Sequence, residues 1–515
     1  MKIFNYFENL SQKHAIFIII LIACFHFFNT LIVLKTNNFY SAPDESVTCI
    51  VDMSHSFCQE YTIISLLKNL QISDFFHSLA TYWKPPVYFL AAMPCIYFVN
   101  DIPLFISLFN FLISLITLFS VYAILTKLHS KQAGLLAALT LSLYPLFFNM
   151  HRTFFIETLL AAVFALCIYI MILYRNNNIF YTLAAISAIS AGLLTKEQFV
   201  IYIPFLLVFA LNKNKINIFK ILYVSSVTAA AAAAAYALWY VYLSDNIFVH
   251  LLNYAKENIN ADYFFYFKEL YFFGATPPAA LLFAAAALYF LLNKKYYIWF
   301  LTPLLILAIF SLSGNKVARH VFPVIIFMPI ATTLFLFEIK NALFRKISIL
   351  MLILIMILQF FLINYSQIQY YRKEKFNIFN DFKGISFAFY YPENTTYKMQ
   401  YDMLKNTIPS LSAKNTAFVQ VFTPLVFNFL IFQKDRDAAT FDIYIYNSLE
   451  SLKNNLNRYD NIIISDRDKT VFNEFDAWAA KNTQFRKGKI LNLYNHDKAK
   501  VWFYGKKTNN DTNKY

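Results

Sequence analysis

Glycine is scarce in this chain, with seven in 515 residues, and no phosphate-binding glycine loop can be assembled from them. Charge is scarce too: 14% of residues are charged against 59% hydrophobic, and the mean hydropathy is +0.49. A chain so poor in charge, with repeated apolar runs near 20 residues, is a polytopic helical membrane protein. No small-residue cleavage pattern accompanies the first apolar run, 15–34, which is also long for a signal-peptide core. It reads as a retained transmembrane helix. The net charge of +15 has no compact basic face with interleaved aromatics behind it, which argues against nucleic acid as a partner. Of five cysteines, Cys24, Cys95 and Cys167 lie in or beside apolar spans. Cys49 and Cys58 share a polar loop, where their spacing fits no standard zinc pattern; in an oxidising compartment they are a disulfide candidate. No internal repeat is apparent.

What is present is a series of apolar spans at 15–34, 103–126, 132–149, 154–174, 178–195, 198–212, 218–243, 276–292, 297–313, 320–338 and 346–364. The expectation is an all-α polytopic bundle of about 11 transmembrane helices, with the termini on opposite sides. The positive-inside rule orients it. Lys127, Lys131, Arg175, Lys213, Lys215, Lys294, Lys295, Lys340, Arg345 and Lys346 fall on one side, which is then cytoplasmic with the N-terminus. Most acids, including Asp44, Glu45, Glu157, Glu197, Asp245 and Glu269, fall on the other. This pattern requires 87–99 to be an interfacial helix on the outer side, being too short to span.

Three parts are expected: an anchor helix with a long outer loop at 1–102, the helical bundle at 103–365, and a soluble outer α/β domain at 366–515. In the first, 61–70 and 72–82 read as amphipathic segments. In the second, the aromatic stretch 244–275 reads as either a lid or a surface connector. In the third, 416–421, 441–446 and 461–465 read as strands, 424–433, 448–459 and 472–482 as helices, and 489–494 with 500–504 as a closing hairpin.

The few polar clusters sit at the outer ends of the spans, where ionisable groups are costly and usually functional. Pro43-Asp44-Glu45 follows the first span, and adjacent carboxylates in a loop are ordinarily just solvated. Trp83-Lys84-Pro85-Pro86 opens the interfacial helix, where two prolines fix an entry turn that holds the Lys84 ammonium near the headgroup plane, and a snorkelling lysine is the plain reading. Glu157 lies inside an apolar run, one turn from His151 and Arg152, and Arg152 is near enough in sequence to be its partner. Lys196 and Glu197 stand at a helix turn, where a surface ion pair is the plain alternative. Lys316, Arg319 and His320 put cations on the side poor in positive charge, and a lipid phosphate supplies a reason for them.

The order of an Asp-Glu pair after the first helix, Lys-Pro-Pro, a second acid, a Lys after a small-residue helix, and Lys-x-x-Arg-His-x-x-Pro resembles the GT-C class of membrane glycosyltransferases. Within it, the chain is similar to bacterial proteins related to protein O-mannosyltransferases and the lipid A aminoarabinose transferase. The resemblance covers roughly 1–365. It implies Asp44 as catalytic base with Glu45 beside it, Glu157 where many relatives have Asp, and His320 where Tyr is usual. It also implies Lys84, Arg319 and Lys316 on the donor phosphate, with Arg152, His151, Lys196 and His320 in support. The implied activity is inverting transfer from a polyprenyl-phosphate sugar to a lipid, glycan or protein acceptor, at the outer face of a bacterial inner membrane. No cofactor is demanded by the sequence, and the resemblance allows a divalent metal. A lipid or glycan transporter is the rival reading, although broken midplane helices and repeats, which it favours, are not apparent.

Overall fold

The structure, a computed structural model, describes residues 11–37, 85–99, 102–152, 154–173, 179–211, 218–239, 263–271, 275, 277–293, 296–312, 318–371, 416–419, 461–465, 469–481, 485–492 and 498–504. They divide into two compact units, one holding the described residues up to 371 and the other those from 416 onward.

The first unit is helical. Its elements are α1 (Gln12–Asn37), α2 (Val87–Phe98), α3 (Ile102–Leu128), α4 (Lys131–Ser142), α5 (Pro145–Met150), α6 (Ile156–Leu173), α7 (Ile179–Leu193), α8 (Ile203–Leu211), α9 (Ile218–Trp239), α10 (Phe265–Glu269), α11 (Pro277–Asn293), α12 (Ile298–Ser311), α13 (Phe327–Glu338) and α14 (Ala342–Tyr371). Two 3-10 segments, Glu197–Tyr202 and Ala318–Ile326, lead into α8 and α13. Among the described residues, four helices are long and apolar enough to cross a membrane: Gln12–Val33, Leu104–Leu128, Ile156–Leu173 and Ala342–Phe361. The α2 helix has 12 residues, or about 18 Å at 1.5 Å per residue, and falls short of a hydrocarbon core about 30 Å thick.

Several runs that read as single spans are interrupted. The run 132–149 breaks between α4 and α5, where Pro145 opens a new helix because it has no N–H to continue the old one. The runs 198–212 and 320–338 begin as 3-10 turns, the second with Pro323 inside it. The 3-10 turns matter here because they deliver the polar residues of the site.

The core is α3, which packs on α1, α4 and α6, with α6 in turn against α7 and the second 3-10 segment. Hydroxyls that face apolar neighbours donate to their own helix: Thr117 to the Ile113 carbonyl at 3.0 Å, Thr140 to Leu136 at 2.8 Å and Thr332 to Met328 at 2.8 Å. Such bonds let a polar residue sit in an apolar bundle without an orphaned donor.

The second unit has a four-stranded sheet in the order β1-β2-β4-β3, from β1 (Thr416–Val419), β2 (Asn461–Ser465), β3 (Phe485–Asn492) and β4 (Lys498–Tyr504). β1 and β2 run parallel, while β4 is antiparallel to both β2 and β3. One helix, α15 (Lys469–Lys481), buries Phe475 and Ala479. The strand readings at 416–421 and 461–465 coincide with β1 and β2. The helix readings at 424–433 and 448–459 and the strand reading at 441–446 lie outside the described residues, as do the amphipathic segments at 61–70 and 72–82.

Candidate active site

Glu157 sits in the first turn of α6 and its side chain is 5% exposed. At that depth a carboxylate needs partners. It has two, neither of them the neighbour that sequence proximity suggested. The Lys196 ammonium donates to Glu157 Oε1 at 2.7 Å, and Arg319 Nε lies 3.6 Å from the same oxygen. Lys196 comes from the turn after α7, and Arg319 from the start of the second 3-10 segment. The Arg319 guanidinium also stands 5.1 Å from the centroid of Phe155. Buried His320 follows it in the chain, and its carbonyl accepts the Tyr202 hydroxyl at 3.4 Å. Two cations facing one carboxylate leave a net positive charge in a desolvated place.

The start of α2 is joined to this cluster. The N–H of Val87 donates to the Leu194 carbonyl at 3.0 Å, two residues before Lys196. Pro85 and Pro86 are buried there. The Pro-Pro step of the Lys-Pro-Pro motif is therefore seated against the turn that carries Lys196.

Arg152 and His151 occupy the turn between α5 and α6 and make other contacts. Arg152 Nη1 donates to Asn149 Oδ1 at 3.0 Å, and the guanidinium lies 5.0 Å from the centroid of Phe148. The expectation that Glu157 pairs with Arg152 is thus corrected: the chain turns between them, and the carboxylate faces Lys196 and Arg319. The plain alternative of a surface Lys196–Glu197 pair is likewise replaced by a pair spanning 39 residues. His151 Nδ1 bonds to the Phe147 carbonyl at 2.7 Å, which places the proton on that nitrogen. Burial lowers its pKa from 6.5 to about 4, against the opposing effect of that bond. His26 of α1 completes this neighbourhood, with its ring 5.6 Å from Phe360 and 6.5 Å from Phe147. A lone histidine in an apolar run was its only sequence signal. Tyr202 gave none, being one of 36 tyrosines.

Asp44, Glu45, Lys84, Lys316, Cys49 and Cys58 lie outside the described residues. Among the described residues, no three His, Cys, Asp or Glu side chains gather where a metal could sit, and the cationic surroundings of Glu157 do not fit one.

A cavity of about 720 Å³ opens between α10, α11, α12, α13 and the second 3-10 segment. Its lining is almost wholly apolar and includes Phe267, Tyr271, Phe283, Leu304, Val324 and Met328, with Lys268 as its charged member. Val324 lies on the 3-10 segment that bears Arg319.

Residues 83–239 match the family model described as dolichyl-phosphate-mannose-protein mannosyltransferase, a stretch that contains Lys84, Glu157 and Lys196. The fold is similar to that of ArnT from Cupriavidus metallidurans bound to undecaprenyl phosphate, with a TM-score of 0.62 and 13% identity over 93% of this chain and 97% of that one. The apo state of ArnT from the same organism gives 0.59 and 14% over the same shares. No curated protein sequence matches the chain.

Proposed function

We propose that this protein is a membrane glycosyltransferase that takes a sugar from a polyprenyl-phosphate donor and passes it, with inversion, to a lipid, glycan or protein acceptor. The observation that carries the reading is the buried Glu157 held between Lys196 and Arg319, within a fold shared with an enzyme crystallised with undecaprenyl phosphate. A desolvated cluster with net positive charge suits a phosphate leaving group whose charge grows as the glycosidic bond breaks. Glu157 orients the two cations. Lys84 and Lys316 extend the phosphate contact, and Arg152, His151 and His320 support the site. The apolar cavity beside the 3-10 segment suits an isoprenoid chain. Asp44, with Glu45 beside it, is the general base that takes the proton from the acceptor hydroxyl as it attacks the anomeric carbon. The reaction takes place at the outer face of a bacterial inner membrane, with the N-terminus cytoplasmic and the C-terminal α/β domain outside.

The test uses the full-length protein in lipid nanodiscs with radiolabelled undecaprenyl-phosphate sugars and a cell-envelope extract as acceptor, following release of undecaprenyl phosphate. Release by the wild type is expected, with a loss of about 10²–10⁴ in Asp44→Asn, the usual cost of a missing general base. Movement of intact lipid-linked sugar across vesicle bilayers, with no release of lipid phosphate, would instead establish the transporter reading.

A further inference from the structure

Lys196 reaches Glu157 from a short turn whose own supports have no role in the chemistry described above. The Gly192 carbonyl accepts the N–H groups of Thr195 and Lys196, both at 3.1 Å, and the Thr195 hydroxyl donates to the Ala191 carbonyl at 2.7 Å. The Phe199 N–H donates to the Lys196 carbonyl at 2.9 Å. The ring of Phe199 then folds back over Gly192, so closely that a β-carbon at position 192 would come within 2.5 Å of ring atoms Cε1 and Cε2. Real β-carbons do not approach that near, so either the ring or the turn would have to move. The ring is fully buried, with Phe164 and Tyr202 at centroid distances of 6.4 and 6.0 Å, and Tyr202 in turn holds the His320 carbonyl. A densely packed interior of this kind resists yielding by an ångström. The turn carrying Lys196 is the softer member.

We propose that Gly192 and Phe199 are positioning residues for the Lys196 ammonium: the ring seated on a bare α-carbon sets where the turn lies, and with it the contact of Lys196 with Glu157. Backbone conformation does not explain this glycine. It lies at the end of α7 and has no positive φ. Alanine is the better helix former, so any harm from Gly192→Ala must come through the ring. The functional consequence rests on the donor-phosphate reading of Lys196 and Arg319, whereas the geometric one does not.

The experiment therefore has two readouts on the full-length protein in detergent. The first is a double-mutant cycle of Lys196→Met and Glu157→Gln followed by thermal melting, without ligand, in wild-type and Gly192→Ala backgrounds. The second is affinity for undecaprenyl phosphate in mixed micelles. The coupling between Lys196 and Glu157 is expected to vanish in Gly192→Ala. Lipid affinity is expected to fall roughly 10- to 100-fold, the worth of a charge-assisted contact. Adding Phe199→Leu, which removes the obstructing ring edge, should restore both. Should Gly192→Ala fail to accumulate in membranes, its recovery on adding Phe199→Leu is the same rescue read as yield. Undiminished coupling in Gly192→Ala, or no rescue by Phe199→Leu, overturns the proposal. If the wild type does not bind undecaprenyl phosphate but the coupling behaves as expected, the donor-site reading fails and the positioning role stands.

Discussion

Removing a carboxylate that faces two buried cations leaves those cations behind. Glu157→Gln keeps the side-chain volume but strands Lys196 and Arg319, which are 13% and 3% exposed at the side chain. Breaking a buried pair this way costs about 3–5 kcal/mol, so the detergent-solubilised variant should melt well below the wild type and transfer no sugar. Arg319→Lys keeps the charge but loses the planar fork. It should fold, yet its donor KM should rise by about tenfold or more, the loss of one charge-assisted bond. His151 makes a different prediction. Its folded pKa of about 4 lies below the ordinary 6.5, so the unfolded chain takes up the proton first as the pH falls. The stability it confers is complete above pH 6.5 and is lost progressively toward pH 4, by about 3 kcal/mol over the interval. Melting curves of wild type and His151→Phe should therefore converge as the pH drops through that window; parallel curves would refute the assignment. At this scale the depth of Glu157 was legible, because a carboxylate inside an apolar run stands out. Its partners were not. Arg152 is five positions away along the chain but beyond a turn, whereas Lys196 meets Glu157 only through the packing of α7 against α6.

Helices approach each other closely where a side chain is missing, and α3 and α4 do so at Gly134. A β-carbon there would lie 2.8 Å from Thr126 Oγ1 and 2.9 Å from Tyr122 Cδ2. Small residues at such crossings hold membrane helices together by close packing. Gly134→Ala should force α4 away from α3 at about 1–3 kcal/mol, the usual cost of overpacking, despite alanine's better helix propensity. Thermal melting against the exposed control Lys131→Ala would read the difference. The apolar runs located nearly every long helix of the first unit, because long hydrophobic runs have few other uses. It did not foresee the breaks. Pro145 and Pro323 were visible as residues, but whether a proline kinks a helix, ends it or turns it into 3-10 depends on what packs around the freed carbonyls. Those breaks are where His151, Arg152, Arg319 and His320 enter the interior.

For the molecule as a whole, the charge asymmetry predicts a topology that can be tested directly. Reporter fusions after Lys131 and Lys213 should read cytoplasmic, and fusions after Asp44 and after residue 370 external. An external signal after Lys131 would mean that α2 crosses the bilayer, and the common outer face of the polar clusters would be lost. The shift from an apolar first part to a polar, charged second part is visible in composition alone. The pairing order β1-β2-β4-β3 is not, since strand neighbours are chosen by contacts distant in sequence.

The ion cluster also imposes a timetable. Chains are made from the N-terminus at about 5–20 residues per second, so Glu157 enters the membrane before either of its partners exists. Lys196 follows 39 residues later, within seconds. Arg319 cannot arrive until α7, α8, α9, α11 and α12 have been synthesised. Until Lys196 arrives, α6 carries a carboxylate that must stay protonated or remain near the headgroups or the insertion machinery. A chain truncated after residue 190, which holds Glu157 but neither Lys196 nor Arg319, should therefore seat α6 less firmly in the bilayer than the full-length chain does.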